Sequence, residues 1–153
     1  AAAGFNLAEA DMERFLGRVR RVAETIRLDE VVERIQVDAE LPDQYMTPEL
    51  ESLVARFEPY GMENPILRFL KRGMVVREVE FIGKEQNHLR LLLEGGSFKW
   101  PSVYWNGAER VNRDFSMGDR VDVVFEVDKN HYNQQSTLQL TIVDIVREGE
   151  GDE

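Results

Sequence analysis

Apolar side chains recur at steps of three and four along the first part of the chain. They are Met12, Phe15, Leu16, Val19, Val22, Ala23 and Ile26. This spacing predicts one amphipathic helix of about five turns with a single apolar stripe. Asn6 and Glu9 stand at the spacing of a capping box, so the helix is expected to begin there.

A second segment reads as a strand followed by a helix. Residues 34–41 alternate between polar and apolar side chains, which is typical of a half-buried strand. Thr47 is a suitable N-cap, and Pro48 then occupies the first helical position, where its missing N–H costs nothing. The buried stripe of this helix is expected to be Leu50, Leu53, Val54 and Phe57. Residues 59–61, Pro-Tyr-Gly, should end it.

From Val75 onward apolar residues fall at every second position, which is the period of a β-strand. Five such segments follow one another, and Gly95-Gly96 marks a hairpin turn between the second and third. The expected inward residues are Val75, Val79 and Phe81; Leu89, Leu91 and Leu93; Val103 and Trp105; Val121, Val123, Phe125 and Val127; and Leu138, Leu140, Ile142 and Ile145. Residues 110–117 have room for a short helix. The pattern predicts a small closed Greek-key barrel of the OB type.

The charge of the chain bears on what it could bind. Its 153 residues carry 19 Lys and Arg against 29 Asp and Glu, a net charge of −10. Affinity for nucleic acid comes largely from cations that neutralise phosphates. A DNA contact is therefore expected to use a local positive strip on an acidic body, or to depend on a partner.

Composition also excludes several classes of chemistry. The chain has no cysteine, which rules out disulfides, zinc-thiolate sites and thiol catalysis. No apolar run is long enough to span a bilayer, and the first residues do not read as a signal peptide, so a cytoplasmic location is expected. The two histidines, His88 and His131, have no carboxylate or second histidine at metal-ligand spacing. The sequence therefore favours a binding module without a catalytic centre.

Strand parity suggests a binding face on the second and third barrel strands, which OB folds commonly use. If the leucines of the second strand point inward, His88 and Arg90 point outward. If Val103 and Trp105 point inward, Trp100 and Tyr104 point outward. The complete candidate set for DNA binding is Arg90, Lys99, Trp100, Tyr104, His88, Lys84, Lys129 and Tyr132. Rings beside cations are what single-strand binders use. The alternative is that Trp100 and Tyr104 cover the barrel wall or pack against residues 1–70.

Several short motifs occur in an order that resembles the C-terminal region of the RecJ family, within the DHH phosphoesterase superfamily. Near the start of the chain, Ala2-Ala3-Gly4-Phe5 resembles the end of that family's Gly-Gly-His-x-x-Ala-Ala-Gly element. Residues 57–65, Phe-Glu-Pro-Tyr-Gly-Met-Glu-Asn-Pro, resemble its linker into the barrel. The remaining matches are Ile82-Gly83, His88-Leu89, Trp105-Asn106, Gly118-Asp119-Arg120-Val121-Asp122, Leu138-Gln139-Leu140 and Asp144-Ile145. Tyr60, Glu63 and Leu67 depart from the family pattern.

The resemblance implies an α+β architecture, a truncated helix-strand-helix segment followed by a five-stranded OB-type Greek-key β-barrel. It assigns residues 1–69 to the end of a DHHA1-like domain with its linker, 70–148 to the OB-fold domain and 149–153 to an acidic tail. A strand at 34–41 would have lost neighbours at the truncated sheet edge, so a fragment dimer through that edge is expected.

The resemblance also implies a function. The parent would be a 5′→3′ single-stranded-DNA exonuclease of repair and recombination, with Mn²⁺ or Mg²⁺ held by an N-terminal catalytic domain. The present chain would lack the catalytic residues, and would bind and guide single-stranded DNA. The expected partners are that catalytic domain, single-stranded DNA and a single-strand-binding protein. The alternative is an acidic protein-interaction module that docks a replication or repair partner.

Overall fold

The structure is a computed structural model that describes residues 6–25, 34–132 and 135–150, without the side chains of residues 24, 25, 130–132 and 135–137. It divides into two compact units, Ala1–Ile35 and Gln36–Glu153. The domain bounds expected from the resemblance, with an OB-fold domain that starts at residue 70, stay a prediction. Met46, Leu50 and Val54 belong to the same hydrophobic core as the barrel residues that follow them.

The described part of the first unit is helical. A 3-10 turn at Glu9–Asp11 leads into helix α1, Met12–Thr25. The predicted capping box is wrong, because the residue before the first turn is Ala8 and no side chain caps that turn. The Asp11 amide instead donates to the Ala8 carbonyl at 2.9 Å. Ile26, the last residue of the predicted stripe, lies outside the described residues.

Among its described residues, the second unit contains six strands and one α-helix. In chain order they are β1 Ala39–Glu40, α2 Leu50–Ala55, β2 Arg68–Ile82, β3 His88–Gly95, β4 Phe98–Tyr104, β5 Arg120–Tyr132 and β6 Gln135–Arg147. Short 3-10 turns lie at Asp43–Tyr45 and Ala108–Arg110. The order β2–β3–β4–β6–β5 closes on itself through a β2–β5 pairing. Within this ring β4 and β6 are parallel, and the other neighbours are antiparallel. A closed five-stranded barrel of this order is an OB fold, as predicted.

Strand β2 closes the barrel by serving two neighbours. Its first half pairs with β5, and its second half pairs with β3. The register shifts between Lys71 and Met74, where Gly73 adopts a positive φ of 68°. A Cβ at this position would meet only the mobile ends of the Arg120 and Glu148 side chains, so the positive φ is the reason that the bulge favours glycine.

The five predicted barrel strands are all present, with different limits. The first begins at Arg68 rather than near Val75, because residues before Val75 already pair with β5. The short helix allowed for residues 110–117 is instead the 3-10 turn at Ala108–Arg110, followed by a turn that buries Phe115. The barrel interior is filled by Met74, Val76, Leu89, Leu91, Leu93, Trp100, Tyr104, Val121, Val123, Phe125, Leu140, Ile142 and Ile145.

The segment before the barrel differs more from expectation. The predicted half-buried strand at 34–41 is only the two-residue β1, which is exposed and pairs in parallel with β2 through Ala39 and Phe69. The strand predicted at 34–41 is thus wrong in length, and its described neighbour is the first strand of the barrel. The dimer through its edge stays a prediction. In α2 only Leu50 and Val54 are buried, while Leu53 and Phe57 of the predicted stripe are exposed.

Candidate nucleic-acid interface

The predicted orientation of β4 is wrong. Trp100 is 2% exposed and Tyr104 is 7% exposed, so both rings point into the barrel. They face inward because they lie opposite inward leucines of β3: Leu93 pairs with Trp100, and Leu89 pairs with Tyr104. Residues directly opposite each other on antiparallel strands share one face of the sheet. Neither ring is available to stack on a base in this structure.

The polar ends of both buried rings are satisfied within the fold. The Trp100 indole N–H donates to the Gly95 carbonyl at 3.1 Å. The Tyr104 hydroxyl accepts a 2.6 Å hydrogen bond from the Arg110 guanidinium. Buried tyrosine and tryptophan side chains usually find such partners. These two residues therefore belong to the barrel core, which differs both from the predicted binding face and from the alternative of outward rings that cover the barrel wall.

Trp105 is 54% exposed, so its predicted place in the core is wrong. It directly follows the last residue of β4 and lies next to the first residue of β3, His88. The two ring centroids are 5.0 Å apart with planes at 80°, an edge-to-face arrangement. Trp105 is thus an exposed aromatic residue beside the first residue of β3.

A hydrogen bond fixes the ring of His88. Its Nδ1 accepts the backbone N–H of Asn106 at 2.9 Å, and Asn106 itself has a positive φ of 55°. An accepting Nδ1 carries no proton, so in the neutral ring the proton is on Nε2. His88 therefore supports Trp105 by its ring edge and by the turn that follows Trp105, and its Nε2–H can donate to a ligand.

Of the cations predicted for strands β3 and β4, Arg90 is paired directly with a carboxylate, whereas Lys99 lies opposite a carboxylate that is bonded to another arginine. Arg90 is exposed and donates to Glu80, its cross-strand partner, at 2.8 Å. Lys99 lies opposite Glu94, which accepts two hydrogen bonds from Arg77 at 2.8 and 3.0 Å. These bonds from Arg77 lower the pKa of Glu94. The outer face of β2, β3 and β4 thus carries mixed charge.

The remaining predicted residues lie in different places. Lys84 is exposed in the turn between β2 and β3. Within the described part of the chain, neither Lys84 nor Lys99 has a carboxylate within 4 Å. Lys129 bonds Glu51 of α2 at 2.6 Å, so it is held to the helix. The side chain of Tyr132 lies outside the described residues. Whether any of these side chains contacts DNA stays a prediction.

A network around Arg110 joins the loop after β4 to β6, and no local pattern along the chain signals it. The guanidinium donates to Asp114, to Asp144 and, at 3.0 Å, to the Ile145 carbonyl. Burial would lower the pKa of Arg110, but hydrogen bonds to Asp114 and Asp144 outweigh it and raise that pKa. Hydrogen bonds from Arg113 and Arg110 hold the pKa of Asp114 at about 2.

Two of the motifs that carried the family resemblance have structural roles here. Asp144, in the Asp-Ile pair, accepts from Arg110. Asn64, in the linker motif, donates through its amide to the carbonyls of Phe57 and Pro59 at 2.8 and 2.9 Å. Both side chains hold a loop against its neighbour. These two motifs are therefore evidence for the fold rather than for a particular ligand.

An apolar groove lies on another side of the second unit. It has a volume of about 630 Å³. Its lining includes Leu41, Tyr45, Leu50, Leu53, Phe57 and Leu67. Tyr45, Leu53 and Phe57 are exposed there, and Asp38 and Glu49 stand at the margin. This surface is chemically distinct from the Trp105–His88 side.

Neither metal chemistry nor membrane crossing is indicated by the residues that the structure describes. Across residues 6–25, 34–132 and 135–150, no three side chains from histidine, aspartate and glutamate are grouped so that they could hold a metal ion. In the same ranges neither helix combines the length and the apolar character needed to cross a bilayer.

Comparison with known proteins gives consistent matches. The family model described as RecJ OB domain matches residues 37–144. The chain is 26% identical over 144 residues to the single-stranded-DNA-specific exonuclease RecJ of Bacillus subtilis (strain 168), covering 94% of this chain and 18% of the relative.

Solved structures match the same region. The structure of RecJ from Thermus thermophilus in complex with Mn²⁺ superposes with a TM-score of 0.65 at 24% identity, over 94% of this chain and 20% of that one. The structure of the same protein with Mg²⁺ also gives a TM-score of 0.65 and 24% identity, over 94% of this chain and 21% of that one. The chain therefore spans about a fifth of the length of these relatives, and through its matched barrel it belongs to the RecJ OB-domain family.

Proposed function

We propose that this chain is the C-terminal part of a 5′→3′ single-stranded-DNA exonuclease, and that its barrel binds and guides the strand without carrying out hydrolysis. The family of the barrel and the name of the Bacillus subtilis relative support the choice of ligand. Hydrolysis is assigned to an N-terminal domain with Mn²⁺ or Mg²⁺. The described residues do not fit a metal site, so no step of the reaction is placed on them.

The observation that carries the proposal is the exposed Trp105 ring supported by His88. Base-on-aromatic stacking contributes roughly 1–3 kcal/mol per base and tolerates any sequence. The indole presents such a surface beside the start of β3 and just after the end of β4. Arg90 lies on the same outer face as His88, two residues further along β3. Lys84 precedes β3 in the adjoining turn, where its ammonium group would reach a phosphate.

The test is the affinity of the chain for a labelled oligodeoxythymidylate, measured by fluorescence anisotropy. Trp105→Leu should weaken binding by about 5- to 100-fold, the equivalent of one lost stacking contact. Fluorescence gives a second readout, because Trp100 is buried and Trp105 is exposed. Oligonucleotide should quench the emission of the parent chain, and this quenching should vanish in Trp105→Leu.

Phe57→Leu is the matched control, since Phe57 is an exposed aromatic residue in the apolar groove. It should leave oligonucleotide affinity unchanged within about twofold. Equal affinity of Trp105→Leu and the unmutated chain would refute the assigned stacking site. If the unmutated chain does not bind the oligonucleotide at low salt, single-stranded DNA is not its ligand.

The alternative, an acidic module that docks a replication or repair protein, has one observation in its favour: the apolar groove with exposed Tyr45, Leu53 and Phe57. Salt separates the two proposals. Binding to DNA weakens linearly with the logarithm of salt concentration, whereas docking through an apolar groove depends on salt only weakly. A single-strand-binding protein, the catalytic domain and a second copy of the chain remain proposed partners.

A further inference from the structure

Helix α1 is a basic segment in an acidic chain. Residues 12–25 contain four arginines and two glutamates, a net charge of +2, whereas the whole chain carries −10. The arginines are Arg14, Arg18, Arg20 and Arg21, and all four are exposed. The helix therefore concentrates positive charge that the average composition conceals.

Three of these arginines form one face. Arg14, Arg18 and Arg21 follow a four-residue and a three-residue step, which places them within about 60° of one another around the helix axis. Along that axis they cover about 10 Å at about 1.5 Å per residue. Three nucleotides of a strand at about 3.4 Å each cover the same length. We call these three residues the arginine face of α1.

The arginine face is available to a ligand. In the described part of the chain, the ion pairs within 4 Å join barrel arginines and lysines to carboxylates, and none involves Arg14, Arg18 or Arg21. A free guanidinium needs no carboxylate displaced before it binds an anion. Its planar fork also matches two oxygens of one phosphate.

The opposite side of α1 is apolar. Met12, Leu16 and Val19 recur there at four- and three-residue steps, and Val22 lies at the edge of this side, next to Arg18. The apolar side and the arginine face thus point in different directions, so burial of the former would leave the latter in water. An amphipathic basic helix of this kind suits either a nucleic-acid backbone or an anionic lipid surface.

We propose that the arginine face of α1 binds the phosphate backbone of single-stranded nucleic acid, as a contact separate from the Trp105 ring. The inference rests on the proposed function, because an OB domain of an exonuclease family in the same chain favours nucleic acid over lipid. The arginine face supplies sequence-independent affinity through counterion release, and the barrel supplies stacking.

The test measures oligodeoxythymidylate affinity of the full chain over a range of salt concentrations. The variant carries Arg14→Gln, Arg18→Gln and Arg21→Gln together, because glutamine keeps helix propensity while removing charge. Each lost phosphate contact should reduce the slope of log affinity against log salt by about 0.7, or about 2 in total. Affinity at low salt should fall roughly tenfold or more.

The matched control carries Arg68→Gln, Arg113→Gln and Arg120→Gln, three barrel arginines that bond carboxylates while their side chains stay partly in water. It removes the same net charge, and its slope should change by less than half as much. Equal slopes for the two triple variants would overturn the inference. Vesicles of phosphatidylserine and phosphatidylcholine provide the lipid test. If the arginine-face variant loses binding to these vesicles but keeps its binding to the oligonucleotide, the inference is overturned in favour of a membrane surface.

The outcome also separates this inference from the proposed function. Trp105→Leu should lower affinity without changing the salt slope. If the parent binds oligonucleotide through Trp105 but the arginine-face variant keeps the parental slope, only the inference fails. If the parent chain does not bind, the proposed function fails first.

Discussion

The barrel and helix α1 use arginine in opposite ways. On the barrel, exposed arginines are bonded to carboxylates of neighbouring strands or loops, as in Arg77 with Glu94, Arg90 with Glu80 and Arg120 with Glu148. On α1 the three residues of the arginine face have no carboxylate within 4 Å among the described residues. The two regions contain the same type of side chain, but the guanidinium groups of the arginine face are more available to bind an anionic ligand.

This difference shows why net charge is a poor guide to binding here. A phosphate that approaches a paired guanidinium must compete with a carboxylate already in place, so the gain is small. A phosphate that approaches an unpaired guanidinium releases a counterion instead. An OB domain with many arginines can therefore be a weak electrostatic binder, while a short helix outside the barrel contributes most of the salt-dependent affinity.

The prediction with the largest expected effect tests whether a barrel arginine stabilises the fold. Arg110→Met keeps the length of the side chain but leaves Asp144 and the Tyr104 hydroxyl without their donor. We expect a loss of about 2–3 kcal/mol in the free energy of unfolding, because partly buried polar groups lose charged partners. Urea unfolding followed by fluorescence measures it.

Arg113→Met is the control for this prediction. Arg113 bonds the same Asp114, but its side chain is 64% exposed against 24% for Arg110. A solvated ion pair contributes little, so this variant should lose much less stability than Arg110→Met. Similar losses for the two variants would mean that the Arg110 network is no more important than a surface pair.

A smaller effect should appear as a dependence of stability on pH. Hydrogen bonds from Arg113 and Arg110 hold the pKa of Asp114 at about 2, below its ordinary value of 3.8. The unfolded chain therefore takes up the proton first as pH falls. The stabilisation is complete above about pH 5 and is lost as pH falls toward about 2, an effect of about 1–2 kcal/mol.

Comparison with Asp114→Asn isolates this carboxylate from the other acidic groups. The difference in unfolding free energy between the parent and the variant should be largest near about pH 6 and should shrink steadily below about pH 4. It is measured by urea unfolding at several pH values. A difference that stays constant down to about pH 2.5 would show that ionisation of Asp114 does not stabilise the fold.

The barrel could be predicted from the sequence because its signal is local. Alternating apolar residues identify β3 and β5 directly, and the glycine turn identifies the hairpin of β3 and β4. The length of the same turn also determines which residues of β4 face the barrel interior. With a two-residue turn after Gly95, the inward Leu91 and Leu93 must face even-numbered residues of β4, which puts Trp100 inside.

The predicted orientation of β4 is wrong because it took the apolar side chain of Val103 as evidence that this position faces the barrel interior. Val103 points to the outer face, opposite Arg90, yet it is buried between β3 and β6. The inward position beside it holds the small polar Ser102, whose hydroxyl donates to the Trp100 carbonyl at 3.0 Å. In a strand with neighbours on both sides, composition alone does not distinguish the two faces.

The ion pairs that join different strands and loops could not be predicted from the sequence, since their residues are distant along the chain. Arg110 and Asp144 are 34 positions apart, and Arg72 and Asp122 are 50 apart. Their pairing depends on barrel closure and on the β2 bulge. The arginine face of α1 is different, because a three- and four-residue spacing of like charges is visible without a structure.

The smallest effect is expected from a substitution that removes the carboxylate partner of a barrel arginine, so that its guanidinium resembles those of the arginine face of α1. Glu80→Gln removes the carboxylate that holds Arg90, and it leaves the guanidinium exposed on the proposed binding face. We expect the oligonucleotide affinity at low salt to rise by about three- to fivefold and the salt slope to steepen by about 0.7, one additional phosphate contact. Stability should change by less than about 1 kcal/mol, since the lost pair is solvated.

The control for this gain is Glu148→Gln, which frees Arg120 away from the proposed binding face. It raises the net charge by the same amount and should leave the salt slope unchanged, because a guanidinium that the strand does not reach neutralises no phosphate. If both variants gain the same affinity, net charge matters more than the pairing of individual arginines. The contrast between the barrel and α1 would then not govern binding.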